Sequence, residues 1–158
     1  MASLVLRFAL LLLMSLLVGT MFGIWIGVDP SGLSAATYIE EQQNLIRSLN
    51  TLLPALGAAA IVLTATLAFL AGRDRSSRYL LIAAAACLIV AGLVTRLENQ
   101  PINAIVMTWS AAAPAADWMQ LRDAWWHWHI VRTIAAIAAL SLLLFDALGA
   151  RRPRFNAR

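Results

Sequence analysis

Four residues in the stretch RDAWWHWHIVRT have types and spacing that suit a site. Arg122, Trp125, His129 and Arg132 follow one another at steps of three, four and three. At about 3.6 residues per turn, those steps place all four on one helical face. Trp126 lies beside that face. A histidine held between an indole and a guanidinium is a candidate base, because a neutral imidazole can take up a proton near neutral pH. His127 stands about 200° around the helix from His129. It reads, with Trp128 and Trp118, as part of an aromatic belt at a membrane surface.

The surroundings of Arg132 are apolar, so the elements that hold it matter. The chain has 158 residues, 61% of them hydrophobic and 13% charged. Soluble domains carry about 25% charged residues, so this composition suits a bilayer, and the length suits one domain. Four apolar runs, at 8–28, 52–72, 79–95 and 130–150, approach or exceed the roughly 20 residues that cross a hydrocarbon core. The first is too long for the apolar part of a secretion signal and reads as a retained span. Transmembrane helices are predicted over about 5–28, 51–72, 78–96 and 126–149, joined by outer connections 29–50 and 97–125. The fold class is therefore an all-α membrane protein, a bundle of four transmembrane helices with short extra helices in the outer connections.

Arginine placement orients it. Arg7, Arg73, Arg75, Arg78, Arg151, Arg152, Arg154 and Arg158 fall on one side with only Asp74 and Asp146. The other side holds six acids and four arginines. The positive-inside rule then puts both termini in the cytoplasm of an inner or plasma membrane, and the two long connections on the periplasmic side. Headgroup contact accounts for the inner arginines.

The outer connections carry the remaining polar groups. TYIEEQQNLIRSLN has a helical pattern running toward the second span, with Glu40, Gln43, Arg47 and Asn50 on one stripe. That stripe either faces water and headgroups or covers a cavity. In NQPIN, Asn99 and Pro101 are expected to end the third helix and start a short one that carries Asn103. The last helix is expected to start at Trp118, with Asp117 as its cap, and to rise out of the bilayer. An arginine about one turn inside the apolar boundary costs roughly 2.5–3.5 kcal/mol, so Arg132 either snorkels or turns inward to a partner such as Glu40, Glu41 or Glu98.

Several classes are excluded or weak. No nucleic-acid motif, phosphate loop or Ser-His-Asp arrangement occurs. Cys87 stands alone in an apolar run. No metal is expected, because HWH spacing cannot place two ligands on one face. A haem or metal held by His129 is the alternative.

The segments VDPSGLSAATYIEEQQNLIRSLNTLLP, RLENQPINAIVMTWS and DWMQLRDAWWHWHIVRT resemble the anthrone-oxygenase-like membrane family, whose bacterial members are mostly described as a domain of unknown function. The pattern elements are Asn99 and Asn103, and Trp125, His129 and Arg132. The resemblance implies a compact four-helix bundle and an oxygenase or oxidoreductase acting on a flat lipophilic phenol or quinone-like molecule. Molecular oxygen would be the co-substrate, and no bound cofactor would be needed. On that basis His129 is the expected base, and Arg132 and Asn103 stabilise the anion. Trp125, Trp126, Asn99, Glu40, Gln43, Arg47 and Trp109 surround the substrate. A membrane protein whose polar cluster only binds a ligand or partner is the other reading.

Overall fold

In a bilayer each backbone N–H and C=O needs a partner within the protein, and a helix supplies it locally. The computed structural model describes residues 2–149; the tail arginines Arg151, Arg152, Arg154 and Arg158 lie outside the described residues. Six α-helices occur, and no strand among the described residues: α1 (Ala2–Gly27), α2 (Ala35–Leu49), α3 (Leu52–Leu70), α4 (Arg75–Val94), α5 (Gln100–Val106) and α6 (Trp118–Gly149). Four segments, Leu4–Gly32, Leu52–Leu70, Arg75–Val106 and Trp118–Gly149, are long and apolar enough to span a membrane.

The four long helices pack in a ring: α4 lies against α3 and α6, and α1 completes the circle by touching the same two. Spacings of three and four build the seams. On α6 the buried series is Trp125, His129, Arg132, Ala136, Ala139, Leu143 and Asp146. On α4 it is Ser77, Leu81, Ala84, Leu88 and Ala91. Alanines at mid-seam let the helices approach closely, and polar groups are kept for the ends. The outward faces are apolar too: Phe8, Leu12, Val62, Phe69 and Phe145 are exposed. Only 22–33% of each spanning window is buried inside the protein, so lipid must cover the rest.

Local chemistry sets the breaks. Ser34 caps α2 by accepting from the Thr37 N–H. Pro54 has no N–H for the Asn50 carbonyl, so α2 does not run straight on; the chain turns at 50–51 and restarts as α3. Gly72 supplies the left-handed residue (φ 56°) of the α3–α4 turn, and Asp74 caps α4 through the Ser77 N–H.

Two expectations change. Pro101 stands in the first turn of the short α5, as expected, but the chain does not break there. The chain passes from α4 into α5 through one π-helical turn, Thr95–Asn99, and the Asn99 side chain caps nothing. The wide turn accommodates the donor missing at Pro101 and rotates the face that follows, a common device near sites. Arg7, read as a headgroup contact, instead pairs with Asp146 of α6 and donates to Ser77 of α4 at 3.1 Å. Ser77 donates to the other Asp146 oxygen at 2.5 Å. This clasp ties α1, α4 and α6 at the end of the bundle away from α2.

Candidate functional site

At the α2 end of the α6 seam the face drawn from the sequence is physically assembled. The His129 ring stacks on Trp125 (centroids 5.1 Å apart, planes 1°) and lies near-parallel to Trp126 at 5.8 Å. It is fully buried. Its Nε2 lies 3.0 Å from the Met21 carbonyl on α1. Its Nδ1 faces Arg132, with Nη2 at 2.9 Å and Nε at 3.3 Å. Arginine can only donate, so Nδ1 is the acceptor and the proton sits on Nε2, which donates to Met21. Both nitrogens are therefore committed. Neither offers a lone pair to a substrate proton, a metal or a haem iron in this arrangement.

Arg132 is 7% exposed. Besides His129, it donates from Nη1 to Thr95 Oγ1 at 3.4 Å and lies 5.7 Å from the centre of the Trp125 ring. Thr95 gives its own proton to the Ala91 carbonyl, which frees a lone pair for the guanidinium. The carboxylate partner expected among Glu40, Glu41 and Glu98 is not there. The ion pairs among the described residues are Arg7–Asp146 and Arg122–Asp123. Arg132 is thus a buried cation held by neutral acceptors. Such a charge is costly in a low-dielectric site and attracts an anion there.

Beside it lies a cavity of about 280 Å³ within the helix ring, near the low end of the range for small-molecule sites. Its walls are mostly apolar, including Leu17, Met21, Leu53, Ile61 and Leu88, with Thr95, Gln100, buried Arg132 and the exposed Arg96 at one end. Ala58 on α3 and Gly92 on α4 line it and are also exposed, so it opens sideways between these helices. A Cβ built at Gly57 or Gly92 meets nothing within 4 Å; the small residues mark an opening rather than a helix contact.

The α5 side supplies the frame. Trp125 Nε1 donates to Asn103 Oδ1 at 2.8 Å, and Asn103 Nδ2 donates to Asn50 Oδ1 at 2.8 Å. Asn99 Nδ2 donates to the Trp125 carbonyl at 3.0 Å, while its Oδ1 has no partner. Gln43 Nε2 holds the end of α5 through the Val106 and Trp109 carbonyls, at 3.0 and 2.9 Å. Trp109 is half-buried and packs on this cluster. Glu40 and Arg47 are exposed, outside the cluster. The buried face of α2 is Tyr38, Ile39, Gln42 and Ile46. Burial pushes the Tyr38 phenol far above its ordinary value, so it is a neutral hydroxyl. Arg122 sits one turn outward, over the Trp118 ring and bonded to Asp123. His127 is exposed, as its helical position requires.

A family model described as anthrone oxygenase matches residues 43–142. The chain belongs to the anthrone oxygenase family. The match begins at Gln43 and takes in α3, α4, the π turn, α5 and α6 past Arg132, so the cation and every cavity wall except Leu17 and Met21 of α1 lie within the family segment. Comparison with curated proteins and with solved structures gives no match. Sequence reasoning placed Trp125, His129, Arg132, Asn99 and Asn103 together and put Asn50 on the α2 stripe, but it missed Thr95 and Gln42. Thr95 was findable as the polar residue that continues the α4 seam from Leu88 and Ala91.

Proposed function

We propose that this member of the anthrone oxygenase family oxidises a flat, lipophilic phenol or anthrone-like molecule with O₂ inside the membrane, and that Arg132 stabilises the substrate anion. The observation that carries this is a buried guanidinium with no carboxylate, on the wall of an apolar cavity open toward lipid. At 4 Å and an effective dielectric near 20, a cation stabilises an anion by about 4 kcal/mol. That corresponds to roughly three pKa units, which opposes the rise that burial in an apolar site imposes on a phenol. Ionisation then needs electrostatics more than a strong base.

With an anthrone, the methylene carbon loses a proton and the electron-rich anion passes electrons to O₂. One oxygen atom bonds to that carbon to form a hydroperoxide, which loses water to leave the second carbonyl. The methylene has lost two hydrogens and gained one oxygen; the other oxygen leaves as water. The chain's part is to strip the substrate of solvent, hold its oxyanion at Arg132 and exclude water from the rings with apolar walls. Trp125 and His129 hold the guanidinium in place. The arginine asymmetry supports an orientation with the α2 end outward, so the site lies toward the periplasmic half.

The test is oxygen uptake by the purified protein in lipid nanodiscs with anthrone and ¹⁸O₂. Anthraquinone carrying one labelled oxygen is expected. Saturable anthrone binding with no oxygen uptake above the protein-free rate reduces the protein to a ligand-binding one.

A further inference from the structure

The ionisation above leaves a proton to be placed. His129 has no free lone pair, and no carboxylate lines the cavity. Arg132 and Thr95, however, also line a second void of about 30 Å³, whose other walls pair Asn50, Asn103 and Gln42 with apolar side chains such as Ile24 and Ile46. From Gln42 a third void, about 10 Å³, continues to Tyr38 and Glu41. Glu41 is exposed and also lines an open surface cleft. Consecutive voids share lining side chains, Gln42 and Leu45 between the second and third and Glu41 between the third and the cleft, so single side chains separate them from Arg132 to the surface.

Two buried polar atoms in these walls have no partner: Gln42 Nε2 and the Tyr38 hydroxyl. Their side chains are 3% and 1% exposed, and they stand one turn apart on the inner face of α2. Buried polar groups are normally satisfied, and water does this where a polar void reaches about 10–15 Å³. The second void exceeds that; the third, mostly apolar, has room for one water, against its Tyr38, Gln42 and Glu41 wall.

We infer that these voids form a hydrated proton path from Arg132 to Glu41, with Gln42 and Tyr38 as positioning residues that hold its waters. This rests on the anion-stabilising reading of Arg132. The substrate's acidic bond to hydrogen breaks, and its electron pair stays on the substrate as the anion beside Arg132. The proton passes to water in the void next to the guanidinium. It then exchanges along the waters at Gln42 and Tyr38 to the Glu41 carboxylate and bulk solvent, and after O₂ adds to the anion an equivalent proton returns to the peroxide oxygen, which later leaves in water. Asn50 and Asn103, bonded to each other, fix the wall.

The experiment pairs radiolytic hydroxyl labelling with turnover, for the wild type, Gln42→Leu and Tyr38→Phe in nanodiscs. Waters beside a buried ring label it, so Tyr38 is expected to be modified in the wild type despite its burial, and severalfold less in Gln42→Leu. Tyr38 as inert as a lipid-shielded core residue overturns the path, whatever the activity. In oxygen uptake with anthrone, Gln42→Leu is expected to bind anthrone as the wild type does, by tryptophan quenching. It should turn over at least tenfold more slowly, with a larger solvent isotope effect. Tyr38→Phe, which keeps the ring, should move the same way by less. Wild-type rates and isotope effects in both variants overturn the proton role. A wild type that labels at Tyr38 but does not consume oxygen overturns the reaction and leaves the water path standing.

Discussion

Arg132 is bonded twice to one atom of His129: Nη2 lies 2.9 Å and Nε 3.3 Å from Nδ1. Two donors converging on one lone pair fix the guanidinium and use up the imidazole's basic site. His129 therefore orients the cation. His129→Asn, whose carbonyl oxygen can accept near the Nδ1 position, is expected to lower anthrone turnover by about tenfold or less; loss of a general base would cost roughly 10²–10⁴-fold. His129→Leu leaves buried Arg132 N–H groups without an acceptor and is expected to destabilise by about 1–3 kcal/mol. Steady-state oxygen uptake and thermal unfolding of both variants check this. A collapse of turnover in a well-folded His129→Asn restores the base role.

The clasp at the other end of α6 is structural. Asp146 is 3% exposed and takes both the Arg7 pair and the Ser77 hydroxyl. Removing one partner of a buried pair typically costs about 3–5 kcal/mol, so Asp146→Ala is expected to lower unfolding stability in detergent by that order. Where Asp146→Ala folds, the dissociation constant for anthrone should stay within about twofold, since the clasp and the cavity occupy different parts of the bundle. A loss of binding without loss of stability contradicts the division.

The opening between α3 and α4 sets access. Gly92 lines the cavity, and a Cβ there meets nothing within 4 Å. Gly92→Leu should fill the mouth and, in a helix, cost no stability, because glycine is about 0.8–1.0 kcal/mol worse than alanine. Anthrone binding is expected to weaken by about tenfold, roughly 1.4 kcal/mol, with the melting temperature unchanged or higher. Equal affinity for the two proteins places the entrance elsewhere.

Much of this was legible in the sequence because helical spacing is local. The steps of three and four that gather Trp125, His129 and Arg132 put them on the buried seam of α6. Continued through Ala136, Ala139 and Leu143, the same steps reach Asp146, which an apolar reading of that run hides. What crosses between helices was not legible. Buried charges are usually paired, which pointed Arg132 at a glutamate, yet its acceptors are His129 and Thr95. The face of α2 was misplaced by about one residue: Gln42 turns inward, while Glu40 and Arg47 face out. A polar stripe does not reveal which edge of it a neighbouring helix covers. The contact of the π turn with α6 likewise crosses between helices, which no local pattern records.

The most direct measurement is the ionisation of a lipophilic naphthol bound in the cavity, followed by the absorbance of its anion across pH in wild type and Arg132→Gln. Arg132 should favour the bound anion, so the wild-type midpoint is expected to lie about two to three pH units below that of Arg132→Gln, the scale set by a few kcal/mol of charge interaction. Identical midpoints, with the naphthol bound to both proteins, would contradict the role given to Arg132.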